Sequence, residues 1–131
     1  MTRFLVLAAA LALTALTAPA TAAQSALPGN WLQISVTKGD GHSSDTRGTL
    51  LLCNDVPQGH AHAAEACAQL RAARGDIRAV PPQEIFCTLE YAPVTASARG
   101  QWNGRPVQYR ETFGNKCEMT AKTGAVFALD D

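Results

Sequence analysis

Along "WLQISVTKG", residues 31–39, Leu32, Ile34 and Val36 alternate with Gln33, Ser35 and Thr37. A period of two sends these sets to opposite faces and predicts a half-buried strand. The turn-rich "GDGHSSDTRG" leads into a second strand, "GTLLLC", which ends at Cys53. The period then changes. In "NDVPQGHAHAAEACAQLRAARGD", Ala63, Cys67, Leu70 and Ala73 recur at helical spacing, and Gly75 stands just past the last turn as a C-terminal cap. Cys67 thereby falls on the inner face of a helix.

"IRAVPPQ" reads as a connection, because Pro81 and Pro82 exclude a central strand and push Val80 away from helical torsions. An extended stretch follows, "IFCTLEYAPV", residues 85–94. Asn103-Gly104 then sits between two alternating runs and suits a type I′ hairpin turn. With those two residues as the loop, Trp102 faces Arg105. One face collects Val94, Ala96, Ala98, Val107, Tyr109 and Phe113; the other collects Thr95, Ser97, Gln101, Gln108, Arg110 and Thr112. Glu111 and Arg105 fall on the apolar face as exceptions. "GNKCEMTAKTG" is a short irregular or helical connection carrying Cys117, and "AVFAL" a last strand. The expected fold is α+β: an antiparallel sheet of about five strands with one main helix packed on it.

The N-terminal pattern sets the compartment. Residues 1–23 combine one positive charge at Arg3, an apolar run from Phe4 to about Leu16, and small residues at Ala18, Ala20, Ala22 and Ala23. That is the pattern of a secretory signal peptide, too short for a membrane span. Cleavage after Ala20, Ala22 or Ala23 fits, and residues 24–131 are taken as the mature, secreted domain. Without Arg3, ten basic residues face eleven acidic ones. So balanced a charge has no footprint for nucleic acid or an anionic membrane.

Export also decides the chemistry of Cys53, Cys67, Cys87 and Cys117, since thiols pair in an oxidising environment. Two disulfides are expected, and spacing leaves all three connectivities open. Should 53 pair with 67 and 87 with 117, each bridge would stabilise by about 3 to 4 kcal/mol in the chain-entropy model. The spacings C-x13-C and C-x29-C contain no zinc knuckle.

Few side chains suggest catalysis. His60 and His62, with Glu65 beyond them, stand where a helix begins, and suit polar or capping roles better than metal ligation. His42, Ser43 and Asp45 are neighbours in one glycine-flanked loop, whereas catalytic triads are assembled in space. No phosphate loop or paired carboxylates appear, so neither cofactor nor metal is expected. Trp31, Trp102, Tyr91, Tyr109 and the phenylalanines are read mainly as core.

The stretch around Cys87 has two readings. It is either a connector held by a structural disulfide or a functional loop offering Phe86, Thr88 and Leu89 to solvent. An extended segment of that kind is shaped like a protease substrate. Held rigidly, it loses little entropy on binding, and a cleaved bond with both ends anchored can be resealed. The Cys87 bridge would anchor the acyl side, with Tyr91 and the hairpin from Val94 anchoring the amine side.

Several pieces in this order resemble the bacterial subtilisin inhibitor-like family of secreted serine-protease inhibitors: "LLLCNDVPQGHAHAAEACAQLRAARGD", "IFCTLEYAPV", "GQWNGRPVQYRETFGNKC" and "AVFAL". The A-C-x-x-L helix, the C-T-x-x-Y-x-P-V segment, the W-x-G hairpin and F-x-N-x-C carry the likeness. The resemblance implies bridges Cys53–Cys67 and Cys87–Cys117, and a reactive bond Leu89–Glu90 within a protease-contacting loop of Phe86, Cys87, Thr88, Leu89, Glu90 and Tyr91. It also implies that Asn115 lies behind that loop as support. The implied fold has a five-stranded sheet and two helices, and the implied assembly is a homodimer joined through the sheet. Two departures stand out. Ala61 follows His60 where many members have proline, and Glu90 places an acid just beyond the bond. Leu89 suits an apolar S1 pocket of subtilisin or chymotrypsin type. The rivals from other classes are a secreted binding module that recognises a nonprotease protein and a small metal-dependent enzyme using His60 and His62.

Overall fold

The computed structural model describes residues 27–42 and 45–129, so the segment read as a signal peptide, and Ser43, lie outside the described residues. The alternating run becomes β1 (Trp31–Lys38), and "TRGTLLL" becomes β2 (Thr46–Leu52). The hairpin strands are β3 (Val94–Trp102) and β4 (Arg105–Phe113). All neighbours are antiparallel, in the order β2-β1-β3-β4. Trp102 pairs with Arg105, and Asn103 and Gly104 have φ of 50° and 76°, the two positive values a type I′ turn requires. The hairpin register therefore follows the expected one. Val94, Ala96, Ala98, Trp102, Tyr109 and Phe113 are buried on one face, while Arg99, Gln108, Arg110 and Thr112 are exposed on the other.

The main helix, α1 (Ala63–Ala72), buries Ala63, Ala66, Cys67 and Leu70. These pack with Leu32, Ile34 and Leu51 on the inner face of the sheet. Cys67 is bridged to Cys53, one residue beyond β2, so the disulfide pins the helix to that strand. The helix ends with Arg74 and then Gly75 at positive φ, and the Gly75 N–H donates to the Leu70 carbonyl at 2.8 Å. This six-to-one bond closes the last turn. The proline-marked connection opens with a short 3-10 turn, Ile77–Ala79, whose Arg78 N–H donates to the Asp76 carboxylate at 3.0 Å.

Among the described residues the sheet has four strands rather than about five, because "AVFAL" is not a strand. The Val126 N–H donates to Thr123, Ala128 to Ala125, and Leu129 to Phe127, so these residues form successive turns. Ala125, Val126 and Phe127 are all buried, which an alternating edge strand does not allow. Phe127 stacks on Tyr109 with ring centroids 5.6 Å apart, and the segment plugs the core beneath β4. The Cys117 segment is the second helix, α2 (Lys116–Thr123).

Candidate functional site

Four large apolar side chains in residues 85–94 are exposed, and three of them stand almost wholly in water: Ile85 is 43% exposed, Phe86 105%, Leu89 96% and Tyr91 82%. No regular element covers residues 81–93. Packing therefore does not fix the shape of this stretch, and its hydrogen bonds and disulfide must.

Those bonds run along α2 in the opposite chain direction. The Gln83 N–H donates to the Ala121 carbonyl at 2.7 Å, Cys87 is bridged to Cys117, and the Ala92 N–H donates to the Gly114 carbonyl at 2.9 Å. Beyond them the Pro93 carbonyl accepts from the Gly39 N–H at 2.7 Å, which delivers the chain into β3. Helix α2 is itself held firmly. Met119 and Thr123 are buried, Gly124 turns the chain at φ 61°, and Gln69 of α1 accepts from the Ala125 N–H at 2.8 Å.

Asn115 joins the helix to the centre of the loop. It is buried and extended at the N-cap of α2, and its Oδ1 accepts from the Glu118 N–H at 2.9 Å. That bond fixes which way the amide faces, because the flipped amide would turn an oxygen toward two carbonyls. Nδ2 donates to the Thr88 carbonyl at 3.1 Å and to the Glu90 carbonyl at 2.9 Å. One amide group thus holds the residues on both sides of Leu89. The peptide between Leu89 and Glu90 lies in the held span, with both side chains outward.

The structure brings Phe86, Cys87, Thr88, Leu89, Glu90, Tyr91, Asn115 and Cys117 into one unit. It corrects the anchoring expected of Tyr91, whose ring is exposed; the amine side is held by the Glu90 carbonyl and the Ala92 N–H. Gly114, Glu118 and Gln83 were not singled out in the sequence. For Glu118 a signal was present: Asn115-x-x-Glu118 is a capping-box spacing, and the Glu118 carboxylate accepts from the Gly114 N–H at 3.1 Å.

The histidines lie elsewhere. His60 Nδ1 accepts from the His62 N–H at 3.2 Å, a local turn contact ahead of α1, and the two rings are 6.5 Å apart. Among the described residues no three His, Cys, Asp or Glu side chains are grouped to hold a metal ion.

The subtilisin inhibitor-like family model matches residues 28–115. A protein of Streptomyces avermitilis is 54% identical over 125 residues, covering 95% of this chain and 84% of its own. A subtilase-type protease inhibitor of Streptomyces coelicolor is 41% identical, covering 91% and 85%. Among solved structures, sermetstatin of Streptomyces caespitosus, in complex with Bacillus licheniformis subtilisin, aligns with a TM-score of 0.59 at 34% identity. That alignment covers 76% of this chain and 97% of sermetstatin.

Proposed function

The chain belongs to the subtilisin inhibitor-like family, and from that premise we propose that it is a secreted, substrate-like inhibitor of subtilisin-like serine proteases with Leu89–Glu90 as its reactive bond. It is a protease inhibitor rather than an enzyme. One observation carries the reactive-site reading: Leu89 is almost fully exposed, while the carbonyls on either side of it are held by a single buried side chain, Asn115.

In the proposed mechanism the protease's serine Oγ bonds to the Leu89 carbonyl carbon. The bond from that carbon to the Glu90 nitrogen breaks, and the serine proton passes through the enzyme's histidine to that nitrogen. On the acyl side the Cys87–Cys117 bridge keeps the chain in place. The new Glu90 amine cannot leave, since its residue stays bonded to Asn115 and its neighbour Ala92 to Gly114. It sits where it can attack the acyl-enzyme, and the peptide reforms. Leu89 directs the inhibitor to apolar S1 pockets, including chymotrypsin-like ones. Glu90 disfavours enzymes whose S1′ region is acidic or tightly apolar.

Secretion is supported by the leader pattern of residues 1–23 and by both disulfides. No helix among the described residues is long and apolar enough to cross a membrane. A homodimer joined through the sheet is supported by its outer face, where Trp31, Leu50 and Leu52 stand half-buried on the side away from the helices.

The test is to titrate subtilisin with purified protein. Stoichiometric loss of activity, with slow partial conversion to a form nicked only after Leu89, is expected. Failure to inhibit any protease of apolar specificity would favour a binding module on the same scaffold.

A further inference from the structure

The hydrogen bonds of Glu118 go to Gly114 and Asn115, and through these it lies behind both fastenings of the amine side. Its backbone N–H donates to Asn115 Oδ1 at 2.9 Å, fixing the amide that holds Thr88 and Glu90. Its carboxylate accepts from the Gly114 N–H at 3.1 Å, and the Gly114 carbonyl accepts from Ala92 at 2.9 Å. Gly114 is the weak point of this chain of bonds. A glycine swings its flanking peptides more freely than any other residue, so an unpinned Gly114 carbonyl would be a poor anchor. The carboxylate removes that freedom with a charge-assisted bond, stronger than a neutral one.

We propose that the Glu118 carboxylate is a positioning residue that keeps the cleaved amine end in place for resealing, by pinning through its N–H the glycine whose carbonyl anchors Ala92. This rests on the inhibitor reading above. The carboxylate has no place in forming the first complex, because the exposed loop side chains meet the protease and Asn115 stays capped by a backbone group. Its effect falls on the nicked state, where Asn115 and Gly114 hold the amine end ahead of the Gly39–Pro93 bond that leads into β3. Losing it therefore separates binding from durability.

Two variants reach the same bond from opposite ends. Glu118→Ala deletes the acceptor. Gly114→Ala leaves Glu118 intact, but a Cβ at residue 114 would come within 2.9 Å of Glu118 Oε2, and the flexible carboxylate is what gives way. Glu118→Gln keeps an acceptor oxygen at the same reach and serves as the rescue. Each variant is incubated with a catalytic amount of subtilisin. Initial inhibition, the rate of cleavage after Leu89, and the equilibrium ratio of nicked to intact protein are measured beside a thermal melt.

Expected for Glu118→Ala and Gly114→Ala is near wild-type initial inhibition, with cleavage faster and the nicked fraction higher by about tenfold, the usual effect of losing one hydrogen bond to a charged group. Glu118→Gln should restore most of the durability. Variants cleaved at the wild-type rate would overturn the proposal. So would cleavage rates that follow melting temperature across all three variants, which is what a purely structural role gives. A wild type that does not inhibit subtilisin would remove the inhibitor reading and this proposal with it; a wild type that inhibits beside unaffected variants removes the proposal alone.

Discussion

Leu89 is 96% exposed among the described residues, so the gain from burying it, about 1.5–3 kcal/mol for a leucine side chain, is left for a partner to realise. In an apolar pocket a lysine at that position would bring an unpaired charge. Leu89→Lys should weaken subtilisin inhibition by roughly a hundredfold or more, a loss typical of interface hot spots, and should create inhibition of trypsin. Inhibition constants for both enzymes check this, and unchanged specificity would move the reactive bond elsewhere. Leu89 stands out in the sequence because it lies two residues after Cys87 and belongs to no periodic face. Asn115 came through the family resemblance alone. Gly114 acts through its backbone, which leaves no mark in a side-chain pattern, and Glu118 showed only as a capping spacing in a stretch read as irregular or helical.

Between elements, the loop and α2 form one device joined by the Cys87–Cys117 bridge. The strands and α1 were readable because each buries one face, and a single face imposes a period of two or of 3.6 residues. "AVFAL" misleads for the complementary reason. A short run that is apolar at every position has no period, and here it is buried on all sides as a plug beneath Tyr109. Nor did spacing choose the cysteine pairing; the resemblance supplied the arrangement the structure has. Replacing Cys87 and Cys117 together by serine should lower unfolding free energy by about 3–4 kcal/mol, the loop-closure value for a bridge of this span. The variant should also be consumed as a substrate, since the acyl end is then free to drift away. Denaturant unfolding and chromatography of the digest read the two effects. A double variant that folds and inhibits without being consumed would show that the tether is not what protects the bond.

For the molecule as a whole, assembly and pH response both follow from what the sheet does and does not cover. Leu50 and Leu52 stand on the face away from the helices, paired with Gln33 and Trp31 of β1. Sedimentation should find a particle of twice the chain mass. Leu50→Asp should give a monomer that still inhibits, because the loop lies elsewhere. The inner face sets the pH range. Burial holds the His60 imidazole below its ordinary pKa of 6.5, with the Val126 backbone opposing and His62 adding to the depression, and Nε2 is buried without a well-formed hydrogen bond. The unfolded chain therefore takes up the proton first, and stability falls as the pH drops below about 6.5. Tyr109 acts at the other end. Burial, and then its bond to the Glu111 carboxylate at 2.9 Å, raise the phenol above its ordinary value of 10, with Arg78 pulling the other way. That contribution is complete below pH 10 and is lost as the pH rises beyond it, when the unfolded chain ionises first. Melting temperature should form a plateau between these limits. His60→Gln should flatten its acid shoulder and Tyr109→Phe its alkaline one, each leaving the other in place; shoulders unchanged in both variants would assign the titrations to other groups.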